Sequence, residues 1–243
     1  MSGQSPSIGT ATVDYTSVYD PDTDFDVVYT HATGRRIAAT LAPGQRILEL
    51  GCATGAMTAQ LAGNDREIVA VDRSAPYLAR LEARALPGVT MILGDIEHVR
   101  PDGSFDHILL TNVLHEVGDP TVVLRRSADW LRPGGQIHAT LPNPRSLHRL
   151  IALDLRLIER IDELSERGTR FGTRRMLDAD ALAACAREAG LRIISRGGVL
   201  LKPLPNATMA ALSPAALELM EQLADQLPEH CAMSYLTLER AGG

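Results

Sequence analysis

The sequence predicts an α/β fold in which a doubly wound, mostly parallel sheet carries helices on both faces. Two observations support this prediction: short apolar runs alternate with helical stretches, and a glycine loop follows the first run directly. Such alternation is typical of a parallel sheet. The expected strands lie near 46–50, 67–71, 89–93, 105–111 and 134–141, and the expected helices between them lie near 54–63, 74–86 and 119–132.

The first strand runs straight into a loop rich in small residues, Gly-Cys-Ala-Thr-Gly. Glu49 precedes this loop by two positions, and Gly51 and Gly55 permit a tight turn and close approach of the backbone to a ligand. The second strand ends at Asp72, 21 residues beyond Gly51, where a carboxylate can accept hydrogen bonds from both hydroxyls of a ribose. Together these signals predict a nucleoside cofactor at the ends of the strands.

The glycine spacing distinguishes between two classes of nucleoside cofactor. A dinucleotide site needs G-x-G-x-x-G, but Gly51, Ala53 and Ala56 occupy those three positions. Glu49 would also repel a diphosphate, whereas a sulfonium compound with an ammonium group gains from a nearby carboxylate. A nicotinamide-dependent oxidoreductase is therefore the disfavoured alternative.

On these residues the chain resembles the class I S-adenosylmethionine-dependent methyltransferases, whose first motif is an acid, one residue and then G-x-G-x-G. Ala53 departs from that motif at the middle glycine and narrows the loop by one methyl group. The resemblance continues through Gly94-Asp95-Ile96, through FDHILLTNVLHEV at 105–117 and through LRPGGQIHATLPN at 131–143. It therefore covers residues 45 to 143 in the family's order.

The resemblance implies S-adenosylmethionine (SAM) as cofactor and a seven-stranded Rossmann-like sheet whose last strand lies antiparallel beside the fifth. It also implies that Asp72 binds the ribose and that Asp95 meets the adenine amino group. The cofactor-binding residues that we expect are Glu49, Gly51, Cys52, Ala53, Gly55, Asp72, Arg73, Asp95, Ile96, Asn112 and Tyr19.

Purely structural roles compete with several of these assignments. The two glycines and Glu49 could serve strand–helix packing alone, and Asp72 could cap a helix that starts near Ser74. The pair Gly94-Asp95 is also an ordinary turn sequence. Cys52 has no CxxC partner, which favours a small space-filling residue over a nucleophile.

Two segments are additional to the minimal fold, and additions of this kind commonly select the acceptor. The first, residues 1–42, concentrates aromatic side chains, including Tyr15, Tyr19 and Tyr29. It predicts a helix over residues 25–41 that packs on the sheet. Alternatively the segment is a flap over the cofactor, with Tyr15 or Tyr19 reaching the methionine carboxylate.

The second addition, residues 143–177, is long enough to form a helical lid because a simple doubly wound fold needs only a short connection there. Its apolar residues fall on one helical face and could support dimerisation or a roof over the substrate. Its four arginines are either paired with Asp162, Glu163 and Glu166 or clamp an anionic acceptor. They are Arg167, Arg170, Arg174 and Arg175.

The rest of the chain predicts a helix over residues 178–189, a strand over 191–201, a helix near 214–227 and a strand over 231–238. We interpret residues 1–243 as a single methyltransferase domain. Its parts are an N-terminal flap or helix at 1–42, a SAM-binding core at 43–142, the lid insertion at 143–177 and the last part of the sheet at 178–243.

Candidates for acid–base chemistry follow the fourth and fifth strands, because ligands of parallel sheets bind at the carboxyl ends of the strands. His115 is the first choice as general base and His148 the second, since imidazole titrates near neutral pH. Alternatively His115 shapes the cavity floor and His148 lies on the surface. His31 and Arg145 are further candidates, while His107, His138 and His230 are expected to be structural.

Composition narrows the acceptor and the compartment. A net charge of −6 and the sequence Thr-Asn-Val-Leu at 111–114, in place of an Asp/Asn-Pro-Pro-aromatic motif, argue against nucleic acid. No apolar run approaches the roughly 18 residues that span a membrane, and three scattered cysteines suit a reducing cytoplasm. We expect a small-molecule acceptor and allow for an anionic one and for a homodimer. The alternatives are a peptide or carrier-bound substrate and a catalytically silent SAM-binding regulator.

Overall fold

The computed structural model describes residues 19–242 and contains a seven-stranded sheet in the order β3-β2-β1-β4-β5-β7-β6. The first five strands pair in parallel, and β7 lies antiparallel between β5 and β6. The predicted doubly wound sheet, including its antiparallel last strand, is confirmed. The strands are β1 (Arg46–Leu50), β2 (Glu67–Asp72), β3 (Val89–Leu93), β4 (Phe105–Thr111), β5 (Leu131–Pro142), β6 (Leu191–Leu201) and β7 (Cys231–Arg240).

Helices and short turns connect the strands on both faces of the sheet. Within residues 19–242, none of the helices is both long enough and apolar enough to span a bilayer. The helices are α1 (Asp26–Ala38), α2 (Thr58–Leu61), α3 (Ala75–Ala83), α4 (Pro120–Trp130), α5 (Leu147–Asp154), α6 (Glu166–Arg170), α7 (Ala179–Glu188), α8 (Asn206–Met209) and α9 (Pro214–Gln222).

The central strands are buried on both faces because successive side chains of a strand point to opposite sides. In β4, Ile108 and Leu110 enter one apolar core with helices α4 and α7, while Leu109 enters a second core with α1. The apolar runs of the sequence therefore contribute side chains to both cores, and the polar residues follow at the strand ends.

The helix expected over residues 54–63 is the main error in the predicted elements. The structure has turns through Met57 and a helix of one turn, α2. Gly55 has φ +79° and Gly63 has φ +91°, so left-handed backbone lies at both sides of the short helix. An α-helix cannot continue through such residues. The other expected helices and strands are present with ends displaced by a few residues.

Two histidines form a buried polar row across β4, β5 and β7. His107 Nδ1 lies 2.9 Å from His138 Nε2, and His138 Nδ1 lies 2.6 Å from the Tyr235 hydroxyl. Burial lowers the pKa of His138 to about 3, so His138 is uncharged at neutral pH, and burial also lowers the pKa of His107. These bonds join three strands, in agreement with the structural role expected for His107 and His138.

Candidate active site

A cavity of about 1200 Å³ lies where the parallel strands end. Its walls include Glu49 from β1, Asp72 from β2, Thr111 from β4 and Thr140 from β5. Ligands of open α/β sheets bind at this edge. The structure therefore brings the acids of the predicted cofactor motif into one cavity with residues that follow β4 and β5.

The glycine loop after β1 needs both of its glycines. Gly51 has φ +84°, and a β-carbon there would lie 2.4 Å from Cγ1 of Val113. Gly55 has φ +79°, and a β-carbon there would lie 2.3 Å from Cδ1 of Leu81. Ala53, at the position of the missing glycine, has φ +47° and accepts left-handed backbone at a cost of about 1–2 kcal/mol.

Glu49 is buried at the loop, with only 2% of its surface exposed. The Thr58 hydroxyl donates a 2.6 Å hydrogen bond to Oε2 of Glu49. Burial, with a smaller contribution from the negative charge of Asp72, raises the Glu49 pKa to about 7. A cation in the cavity would stabilise the ionised form, so Glu49 suits a positively charged ligand.

Asp72 is held in place by two backbone groups. Its Oδ2 accepts a hydrogen bond from the Ala53 N–H, and its Oδ1 accepts one from the Ser74 N–H, both at 2.8 Å. Helix α3 is capped instead by the Ser74 side chain, which accepts from the Tyr77 N–H. The carboxylate is thus oriented at the cavity, and burial raises its pKa. Binding of a ribose by Asp72 stays a prediction.

All of the predicted cofactor residues except Gly55 line the cavity; Gly55 shapes the loop but is absent from the lining. Burial raises the pKa of the Cys52 thiol, which agrees with a space-filling residue. Oδ1 of Asp95 accepts from the Glu97 N–H at 2.8 Å, so Asp95 does build a turn, while its side chain keeps 41% exposure. Cofactor contact by these residues stays a prediction. The cavity lining includes Tyr19, Cys52, Ala53, Arg73, Asp95, Ile96 and Asn112.

An acidic N-terminal segment, residues 19–26, crosses the glycine loop. Asp22 accepts a hydrogen bond from the Thr54 hydroxyl at 2.7 Å. It also accepts one from Arg80 of α3 at 2.6 Å and one from Arg84, which follows α3, at 3.0 Å. The Tyr77 hydroxyl donates to the Tyr19 carbonyl at 2.9 Å. The segment is therefore bonded to the loop that the sequence assigns to the cofactor. The alternative contact, Tyr15, lies outside the described residues.

The insertion at 143–177 meets this segment through Arg167. The guanidinium donates to Asp24 at 2.7 and 3.0 Å and to Asp26 at 2.9 Å, so the expected pairing with Asp162, Glu163 or Glu166 is wrong for Arg167. Sequence proximity favoured those acids, but α6 faces the N-terminal segment. The rings of Tyr19 and Phe171 stack nearby, 4.9 Å apart. The insertion contains two short helices, α5 and α6, and not one continuous helical face along its length.

His115 and His148 both line the cavity, and both are uncharged. Burial lowers the pKa of His115 to about 4. The pKa of His148 is lowered to about 3, and burial is the largest cause. The Nδ1 atom of each ring is buried without a hydrogen-bond partner among the described residues. His31 and Arg145 are exposed and absent from the lining, so the structure does not support these two candidates.

Sequence reasoning missed two residues that support the cavity from outside its lining, Thr58 and Arg80, and one that lines it, Lys202. Thr58 supports Glu49, and Arg80 anchors the N-terminal segment. Lys202 is 6% exposed and lines the cavity beyond β6. The available signal was composition, because Lys202 is the only lysine among 24 Lys and Arg residues.

Comparison with known proteins agrees with this geometry. A family model described as a methyltransferase domain matches residues 28–196, which is more than half of the chain. The chain belongs to the methyltransferase family. It is a class I SAM-dependent methyltransferase, and the predicted cofactor and enzyme class are confirmed.

Two curated relatives and one solved structure illustrate the likeness. The methyltransferase is 34% identical over 137 residues to trans-aconitate 2-methyltransferase from Deinococcus radiodurans, a match that covers 54% of this chain and half of that protein. It is 28% identical over 176 residues to ubiquinone biosynthesis O-methyltransferase from Xanthomonas axonopodis pv. citri, covering 70% and 72% of the two chains. The CcbJ methyltransferase from Streptomyces caelestis shares the fold, with TM-score 0.61, 18% identity and coverage of 88% and 96%.

The cavity fits the cofactor of this family. A buried carboxylate whose pKa is raised, Glu49, and a carboxylate oriented by two backbone N–H groups, Asp72, match a cation and a ribose diol, respectively. The cavity, at about 1200 Å³, also exceeds the roughly 300–1000 Å³ that ligand cavities commonly measure.

Proposed function

We propose that this methyltransferase transfers a methyl group from SAM to an oxygen or nitrogen of a small-molecule acceptor. The observation that carries the proposal is the single cavity that holds both the cofactor motif and a second group of polar residues past β4, β5 and β6. The names of two relatives, trans-aconitate 2-methyltransferase and ubiquinone biosynthesis O-methyltransferase, support a small acceptor.

The division of the cavity follows from the strand order. Glu49 and Asp72 lie at β1 and β2, on one side of β4, whereas His148 and Lys202 lie beyond β5 and β6 on the other side. We assign the first half to the cofactor and the second to the acceptor. Methyl transfer would take place near the ends of β4 and β5, where Thr111, His115 and Thr140 line the cavity.

SAM supplies an electrophilic methyl group on a sulfonium, so the residues of this chain mainly align the two partners and exclude water. The N-terminal segment and the insertion serve this purpose in our proposal, because Arg167 joins them across the cavity. We interpret the insertion as a lid on a single methyltransferase domain. Homodimer formation stays a prediction.

The role of His115 depends on the proton of the acceptor. An imidazole whose pKa is about 4 is a weak base and would remove a proton from an alcohol inefficiently at neutral pH. Its ring lines the cavity and can shape the acceptor side, but its Nδ1 is buried and is not exposed to a ligand. Its low basicity favours an acceptor oxygen that is already ionised, or an amine that offers a lone pair. Proton removal by His115 or His148 stays a prediction.

The proposal is tested by measuring S-adenosylhomocysteine formation and methyl-labelled product together. Purified protein is incubated with methyl-labelled SAM and a panel of small hydroxy acids, carboxylic acids, phenols and amines, and products are identified by mass spectrometry. We expect label in at least one small molecule. If calorimetry shows SAM binding but label appears only in peptide or carrier-bound material, or in nothing, the small-molecule proposal is wrong.

A further inference from the structure

Lys202 is chemically unusual in this chain. It is the only lysine, while the other 23 of the 24 Lys and Arg residues are arginines. It follows β6 directly and lines the cavity with 6% of its surface exposed. Leu200, two residues earlier, has φ +57°, a strained conformation for a leucine. The strained residue thus lies within β6, directly before the position from which the chain delivers an ammonium group to the cavity.

The charge of Lys202 has no counter-ion in the described part of the chain. No ion pair and no side-chain hydrogen bond joins it to any of residues 19–242. Asp26 influences it electrostatically, but the Asp26 carboxylate already accepts bonds from Arg167 at 2.9 Å and from the Tyr19 hydroxyl at 3.3 Å. A buried ammonium without a partner is costly, and an anion in the cavity would offset that cost.

The neighbours of Lys202 leave its charge available to a ligand. Burial is the main cause that lowers its pKa to about 8, so it stays largely protonated at pH 7. His148, whose backbone N–H donates to the Lys202 carbonyl at 3.0 Å, is uncharged and has a buried Nδ1 without a partner in residues 19–242. Arg149 already donates to the carbonyls of Ile161 and Glu163.

Strand order separates Lys202 from the cofactor motif. From β1 to β6 the order is β1-β4-β5-β7-β6, which is four strand spacings, or roughly 19 Å at about 4.8 Å each. The ammonium therefore faces the half of the cavity that we assign to the acceptor. One ammonium group beside a neutral imidazole matches the single charge of a carboxylate better than a phosphate dianion, which recruits more donors.

We propose that Lys202 binds a carboxylate of the methyl acceptor, with His148 as its polar neighbour, and so selects carboxylic acids as substrates. This inference rests on the proposed function, because it requires a small acceptor in that half of the cavity. Lys202 acts here as a specificity-determining residue, and the methyl group goes to another atom of the same acceptor.

The kinetic test compares Lys202→Met with Lys202→Arg and with the control Arg145→Met, which removes an exposed charge outside the cavity lining. Acceptors are offered as pairs of a carboxylic acid and its carboxamide. We expect Lys202→Met to raise KM for the acid about ten- to a hundredfold, with partial rescue by Lys202→Arg and little change in kcat or in the Kd of SAM. Equal turnover of acid and amide by the unmodified protein would overturn the inference while leaving the proposed function intact.

A second measurement does not depend on turnover. Because Lys202 is the only lysine, protein grown on ¹³C-lysine gives a single Cε signal from this residue. We titrate protein loaded with S-adenosylhomocysteine with trans-aconitate, with 4-hydroxybenzoate, with their amides and with inorganic phosphate. The acids should shift the signal and raise the Lys202 pKa, since an anion stabilises the ammonium.

Each other outcome decides against the inference. If only phosphate shifts the Lys202 Cε signal, Lys202 binds a phosphorylated acceptor. If no carboxylic acid shifts the signal, Lys202 does not bind a carboxylate. A Lys202→Met variant that loses SAM affinity would place Lys202 on the cofactor's own carboxylate. By contrast, absence of SAM binding or of any methyl transfer in the unmodified protein would refute the proposed function itself.

Discussion

The Asp72 carboxylate accepts a 2.8 Å hydrogen bond from the backbone N–H of Ala53. This bond links the end of β2 to the glycine loop after β1, so Asp72 and the loop residue 19 positions before it belong to one structural unit. The acid therefore orders the loop and faces the cavity at the same time. Any test of Asp72 has to separate these two roles.

Asp72→Asn keeps one oxygen acceptor and removes the charge. We expect the Kd of SAM, measured by calorimetry, to rise about ten- to a hundredfold, corresponding to loss of charged hydrogen bonds worth roughly 1.5–3 kcal/mol. Asp106→Asn is the control, because Asp106 also accepts a backbone N–H, that of Arg46, but lies outside the cofactor cavity. Equal effects of the two substitutions on SAM binding would remove the ribose role of Asp72.

Gly51→Ala and Ala53→Gly should act in opposite directions within one loop. A methyl group at Gly51 meets Val113 at 2.4 Å and is strained at φ +84°, so we expect a lower melting temperature and little SAM binding. Ala53→Gly removes about 1–2 kcal/mol of strain at φ +47° and adds about 0.5–1 kcal/mol of chain entropy. The net change should be a stabilisation of about 0–1.5 kcal/mol. If Ala53→Gly lowered the melting temperature as much as Gly51→Ala, the left-handed backbone conformation of Ala53 would be contradicted.

Glu49→Gln should stabilise the protein at high pH and weaken its cofactor binding. The folded protein holds a proton on Glu49 up to about pH 7, because burial raises its pKa from the ordinary value of 4.5. Stability from this group is therefore full below about pH 4.5 and is lost as the pH rises through about 7. At pH 8 the ionised, buried Glu49 costs about 3 kcal/mol, which the amide avoids.

Thermal unfolding at pH 5 and pH 8 checks the predicted pH dependence of the stability difference between Glu49→Gln and the unmodified protein. The melting temperature of Glu49→Gln minus that of the unmodified protein should be several degrees more positive at pH 8 than at pH 5. SAM titrated at pH 8 should bind the variant more weakly, because the amide carries no charge for the sulfonium compound. A difference in melting temperature that does not change with pH would show that Glu49 is ionised at pH 5 in the folded protein.

Arg167→Gln should release the contact between the insertion and the N-terminal segment. Its bonds to Asp24 and Asp26 are partly exposed, so we expect little change in melting temperature. Dissociation of S-adenosylhomocysteine, followed by stopped-flow fluorescence, should become about tenfold faster because two elements no longer hold each other across the cavity. Arg160→Gln is the matched control, since Arg160 pairs with Asp162 within the insertion. An unchanged dissociation rate would refute a closing role for Arg167.

The fold and the cofactor half of the cavity were open to prediction because they depend on local patterns. Buried parallel strands produce apolar runs, and left-handed turns require glycine, so β1, Gly51 and Asp72 are visible in a linear sequence. The helix after the loop was misjudged because its residues have helical propensity, while the positive φ of Gly55 ends helical geometry there. Propensity is a weak guide where a backbone conformation of this kind intervenes.

The sequence by itself determined the sheet, the position of the cofactor loop and the acids at the strand ends, since each of these is encoded by residues close together in the chain. Tertiary structure alone decided the partner of Arg167, the low basicity of His115 and the exposure of Lys202 to the cavity. Ion pairs between Arg167 and Asp24 span 143 positions, and desolvation depends on what every neighbouring element buries. Contacts and burial of that kind arise only when distant segments pack together.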